Sequence, residues 1–95
     1  MRRNAKVDHN QKRVVQALRS SGCSVESLAA VGKGVPDLLV GFRGQNFLVE
    51  VKDGAKPPSK RKLTPDQVTW HSEWRGQKAV VCNETEALTV VGAIK

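Results

Sequence analysis

Two nearly continuous apolar runs, Leu38-Leu39-Val40 and Phe47-Leu48-Val49-Glu50-Val51, flank a short segment centred on Arg43-Gly44. Runs this short and this rich in branched side chains read as strands, and their near-continuous apolarity suits the middle of a sheet. The connection leaves room only for a hairpin. If Phe42 pairs with Gln45 across Arg43-Gly44, Asp37 falls opposite Glu50, whereas a loop of odd length would break that register and push Asp37 off the face.

Glu50 and Lys52 are two apart on a strand, so both project from one face while Phe47, Val49 and Val51 take the other. Directly opposed carboxylates, with Cβ atoms roughly 5 Å apart, repel unless something cationic lies between them. A hard divalent metal such as Mg²⁺ or Mn²⁺ suits oxygen ligands at this spacing. The alternative is a plain salt bridge, Lys52 pairing Glu50 or Asp37 at a sheet edge.

The remaining elements follow from periodicity and caps. Val7, Gln11, Val14, Val15 and Leu18 recur at spacings of 3 and 4, which predicts an amphipathic helix over Asp8 to Ser21 stopped at Gly22. Gln11 interrupts its apolar stripe. Cys23 to Ala29 is a weak strand, Val31-Gly32-Lys33-Gly34 a connector, and Gly54 to Lys62 a loop with two prolines and no periodicity. Thr64-Pro65-Asp66-Gln67 supplies an N-cap, a proline at the first helical position and a glutamine at the third, so a second helix runs from here to about Arg75. Trp70 and Trp74 are expected on its inner face, as core; stacking on splayed bases is the other use of such a pair. Lys78 to Cys82 is a further strand, and Asn83 caps a last helix ending near Val91. The expected order is α-β-β-β-α-β-α in one domain, residues 1–95, with no repeat or linker: α/β class, a mixed central sheet flanked by helices.

Charge narrows the partners. The 95 residues carry 16 Lys and Arg against 9 Asp and Glu, a net charge of +7. Ten of the 16 fall in two short segments: Arg2, Arg3, Lys6, Lys12 and Arg13, then Lys52, Lys56, Lys60, Arg61 and Lys62. With Lys33 in the connector, Arg2, Arg3, Lys6, Lys56, Lys60, Arg61 and Lys62 form the candidate footprint on nucleic-acid phosphates. Small basic domains also bind anionic membranes or acidic proteins. No stretch approaches the ~20 apolar residues of a membrane span, and Met1-Arg2-Arg3 is not followed by the apolar run of a secretory signal, so a cytoplasmic location is expected. Cys23 and Cys82 read as idle thiols. His9 is expected at the surface, and His71 at the boundary rather than as a catalytic base.

Pro36-Asp37, twelve intervening residues, then Glu50-Val51-Lys52 in an apolar strand resembles the signature of the PD-(D/E)XK nuclease superfamily. Gly34-Val35-Pro36-Asp37-Leu38-Leu39, Glu50-Val51-Lys52 and Leu63-Thr64-Pro65-Asp66-Gln67 with Trp70 one turn later are similar to its VRR-NUC (virus-type replication-repair nuclease) branch. The resemblance extends from the first helix to Val81. It implies a restriction-endonuclease-like fold similar to that of Holliday-junction resolvases, in the stand-alone form found in bacteriophages and their bacterial hosts. It also implies roles: Asp37 and Glu50 as metal ligands with the carbonyl of Val51, Lys52 at the attacking water or the phosphate, and Gln67 reaching toward the same site. Gln67 equally completes a capping box with Thr64, and the two roles do not exclude each other. Family members usually carry a glutamate about eleven residues before the glycine that ends the first helix. Here that position is Gln11, whose amide oxygen is the expected substitute ligand, with Asp8 or Asn10 contributing if the helix is rotated.

The expectation is a Mg²⁺- or Mn²⁺-dependent DNA endonuclease that leaves 5′-phosphates, prefers branched or junction DNA and works as a homodimer. The metal would acidify water and stabilise transition-state charge, with Lys52 as a fixed cation. The alternatives are a non-catalytic nucleic-acid-binding domain that keeps the fold, and a small protein that docks on a host protein through its basic surface.

Overall fold

The computed structural model describes residues 8–95; Arg2, Arg3 and Lys6 lie outside the described residues. The element order is the expected one: α1 (His9–Ser20), β1 (Ser24–Ser27), β2 (Leu38–Phe42), β3 (Gln45–Val51), α2 (Pro65–Glu73), β4 (Lys78–Val81) and α3 (Glu84–Val91). The loop before α2 contains one short 3₁₀ turn, Pro58–Lys60, where the sequence suggested no regular structure.

The hairpin sets the register. Arg43 and Gly44 both adopt positive φ, 51° and 80°, as a two-residue turn between twisted strands requires. Phe42 pairs with Gln45 and the ladder runs to Leu38 opposite Val49. Extending it by one step brings Asp37 to Glu50. The sheet order is β1-β2-β3-β4, antiparallel except for the β3–β4 pair, which is parallel. A parallel pair needs a crossover, which the segment containing α2 supplies. At β1, Arg19 Nη2 donates to the carbonyl of Val25 at 3.0 Å.

The core lies on one side of the sheet. Val14 and Leu18 of α1, with Ala87 and Val91 of α3, pack on Val25, Leu38, Val40, Phe47, Val49, Val51 and Val81. The second face is covered far less: Leu39 and Leu48 are half-buried and Val80 is 41% exposed. No residue of α2 is buried, contrary to the core position expected for Trp70 and Trp74. The helix ends at Glu73, so Trp74 is its C-cap with extended backbone and leaves the inner face that i, i+4 spacing implied. Trp70 is half-buried and Trp74 is 43% exposed.

What holds α2 is polar and close. Its N-cap Thr64 accepts from the Gln67 amide, and the Gln67 side chain accepts from the Thr64 amide, a complete capping box. Its first turn also abuts the connector before β2, where Gly34 has φ +84° and an added Cβ would collide with the carbonyl oxygen of Asp66 and lie 2.9 Å from the Gln67 nitrogen. Both conformation and space therefore require glycine.

Gly32 supplies the control, with φ +73° and nothing within 4 Å of an added Cβ. Gly32→Ala should lose only the ~1 kcal/mol of a left-handed alanine, whereas Gly34→Ala should lose about 3 kcal/mol or more as backbone is forced from backbone. Urea denaturation midpoints of the two variants measure the difference.

Candidate active site

The site grows from the end of the hairpin. Asp37 immediately precedes β2, and its Oδ2 accepts from the Val51 amide at 2.8 Å. The carboxylate thus continues the ladder where the strands part. The Asp37 carbonyl accepts from Leu28 at 2.8 Å, so the segment entering β2 is pinned on both sides.

Glu50 is 3% exposed. Its Oε2 accepts from Gln67 Nε2 at 2.9 Å and lies 3.5 Å from Lys52 Nζ. Its Oε1 is buried with no hydrogen-bond partner among the described residues. Burial, then the charge of neighbouring Asp37, pushes the Glu50 carboxyl up to about 7, with Lys52 acting the other way. The salt bridge considered from sequence does form, but it satisfies only one of the two Glu50 oxygens.

Gln67 joins the helix to the site. Its Oε1 accepts both from the Thr64 amide and from Lys52 Nζ, each at 2.9 Å, while its Nε2 donates to Glu50. Both sequence readings of Gln67 therefore hold in one side chain.

The sequence offered Asn10 only as a contributor to the metal should the helix be rotated, and did not foresee its role as a backbone tie. Asn10 is 5% exposed, and its Nδ2 donates to the carbonyls of Lys52 at 2.8 Å and Cys82 at 3.2 Å. Asn10 thereby ties α1 to the ends of two parallel strands, and its Oδ1 accepts from Arg13. The buried stripe of α1 is Asn10, Val14 and Leu18, so the expectation that Gln11 occupies the sheet-facing position is corrected. Gln11 is half-buried on the flank, beside Val15. Counting back by fours from Leu18 and Val14 arrives at Asn10; beginning the stripe at Val7 displaced it.

Among the other candidates, Lys33, Lys56, Lys60 and Lys62 are exposed and Arg61 is half-buried, its Nε enclosed without a partner among the described residues. His9 is exposed. His71, one turn beyond Gln67, has a buried Nε2 with no partner among the described residues, and burial, then Lys78 and Lys52, lower its pKa.

The donor set fits a hard cation. Two neighbouring carboxylates, one with an orphaned buried oxygen, leave a local negative charge that a single ammonium only partly offsets. Among the described residues no three or more His, Cys, Asp or Glu cluster together; two carboxylates completed by water are a donor set that Mg²⁺ uses. The carbonyl of Val51 and the amide of Gln11 are the additional oxygens the sequence nominates.

No family model matches the chain and no curated protein does either. Among solved structures the chain is similar to one described as a VRR_NUC domain, with 29% identity and a TM-score of 0.66 over 88% of this chain and 91% of that one. The chain has the fold of a VRR-NUC nuclease domain, a four-stranded mixed sheet flanked by helices.

The raised carboxyl of Glu50 makes stability depend on pH. In the unfolded chain the group ionises near 4.5 and in the folded chain near 7, so its contribution is full below about 4.5 and is lost as pH rises through 7. The loss should reach on the order of 2–3 kcal/mol. Glu50→Gln should remove this part of the slope, and urea midpoints of both proteins at pH 5 and pH 8 test it.

Proposed function

We propose that the chain is a divalent-metal-dependent DNA endonuclease that hydrolyses phosphodiester bonds to 5′-phosphate products, with a preference for branched or junction DNA. The observation that carries this reading is the buried Glu50 beside Asp37, bound into one network with Lys52 and Gln67. A salt bridge alone would not place a second carboxylate next to a buried one.

Asp37 and Glu50 would hold the cation, with the Val51 carbonyl and the Gln11 amide as further oxygens. When bound, Mg²⁺ or Mn²⁺ supplies Lewis acidity, withdrawing charge from the phosphodiester and acidifying water. Lys52, fixed by the Gln67 oxygen, offers its ammonium to the phosphate as charge builds on phosphorus. Gln67 also holds the Glu50 carboxylate, so one amide sets the spacing of ligand and cation. Asn10 fixes the carbonyl of Lys52 and with it the strand end that carries the trio. In-line attack by water and departure of the 3′ oxygen give the 5′-phosphate. Lys33, Lys56, Lys60, Arg61 and Lys62, with Arg2, Arg3 and Lys6, contact the DNA backbone electrostatically. No helix among the described residues is long and apolar enough to cross a membrane. A single domain of this size clasps only part of a duplex, and we propose a homodimer as the working form.

A second reading, a domain that binds nucleic acid without cleaving it, is favoured by the glutamine at position 11, where the family resemblance expects a glutamate. Asp37→Ala, Glu50→Ala and Lys52→Ala should each abolish cleavage while DNA binding is largely retained, since each acts on the cation or on transition-state charge. Cleavage surviving in all three would remove the nuclease assignment.

Mg²⁺ should also raise the melting temperature of the unaltered chain, because a ligand that binds only the folded state stabilises it. Gln11→Glu should enlarge that shift by replacing a dipole with a full charge. No Mg²⁺ effect on either protein would favour the non-catalytic reading.

A further inference from the structure

Trp70 and Trp74 are the only two tryptophans in the chain, which has no tyrosine. Their rings lie 5.0 Å apart between centroids with 15° between planes, a stacked pair. Trp70 covers one face of the Trp74 indole. Gly76 closes the pyrrole edge, where an added Cβ would stand 2.8 Å from Nε1. With Trp70 stacked on the indole and Gly76 at its pyrrole edge, 43% of Trp74 remains exposed.

Two cations stand close to Trp74 in the chain or in space. Arg75 follows it in sequence and Lys78 Nζ donates to its carbonyl at 2.9 Å; both residues are exposed. An exposed indole in a basic neighbourhood matches a nucleobase with its phosphates, because every base has a π-face and every linkage an anion.

Position adds the connection to the candidate active site. Gln67, in contact with Glu50 and Lys52, stands in the first turn of the helix that Trp74 caps at its other end. Seven residues at 1.5 Å each span roughly 10 Å, about three nucleotide steps at ~3.4 Å. A base inside a duplex has both faces covered by its neighbours, whereas an unpaired base can be splayed onto an aromatic side chain.

We propose that the exposed face of Trp74 is a stacking platform for an unpaired base of the strand held at Asp37 and Glu50. The preferred substrate class is then DNA with single-stranded nucleotides next to the scissile bond. This inference rests on the nuclease reading for its link to cleavage, but the binding it describes can be measured without metal.

Because both tryptophans belong to this pair, intrinsic fluorescence reads the surface directly. The full chain is titrated in EDTA with a short single-stranded oligothymidylate and with a blunt duplex of equal length. The oligothymidylate should quench the emission and the duplex should not. Trp74→Leu should weaken oligothymidylate binding, followed by polarisation of a labelled strand, roughly 5- to 100-fold, the effect of losing one stacked base, and leave duplex binding unchanged. Trp74→Phe, which keeps an aromatic face, should retain most of the affinity.

Absence of quenching, or equal oligothymidylate affinity in Trp74→Leu, would overturn the proposal. So would a Trp74→Leu chain that binds normally but sediments as a smaller species, since the surface would then join two copies. A chain that binds the strand through Trp74 but cleaves nothing would defeat the nuclease reading alone.

Discussion

The architecture depends on keeping a carboxylate that is almost wholly buried beside another carboxylate. Burying an ionised group is unfavourable unless partners replace its water, and among the described residues Glu50 has partners on one oxygen only. Every element near it contributes to that compromise. The hairpin turn sets the register that brings Asp37 alongside, α2 supplies Gln67, β3 itself supplies Lys52, and α1 holds the backbone of Lys52 through Asn10. A sheet whose covered face is apolar could dispense with all of these, so together they mark where the candidate site lies.

Much of this was legible in the sequence because it rested on short-range rules. Arg43-Gly44 between two apolar runs leaves little choice of turn, and the turn fixes the pairing of Asp37 with Glu50. Thr64, Pro65 and Gln67 similarly mark the start of α2 without reference to the rest of the chain. The double use of Gln67 was also visible as two compatible readings, which the geometry unites in a single amide.

What sequence did not reveal depended on tertiary placement. Asn10 rather than Gln11 faces inward because the rotation of α1 is decided by Val14 and Leu18 against the sheet, and a polar residue at the helix start gives no apolar signal of its own. Trp70 and Trp74 looked like core because spacing by four presumes an unbroken helix, yet the chain turns extended at Trp74. Two indoles then protect each other by stacking instead of entering the interior. Spacing cannot report where a helix ends when the terminating residue is itself large and apolar.

One consequence follows from α2 burying no residue while its Gln67 oxygen serves both the helix cap and Lys52. Helices anchored by few apolar contacts are among the first parts of a protein to open, at free energies well below global unfolding. Here the same acceptor begins the helix and steadies the ammonium, so melting of α2 and dispersal of the charged cluster are one event. The folded body of α1, α3 and the sheet need not change. Amide hydrogen exchange along α2 would thus be a gauge of how often the site is assembled, and occupancy by a cation or a strand would slow that exchange from a distance of several residues.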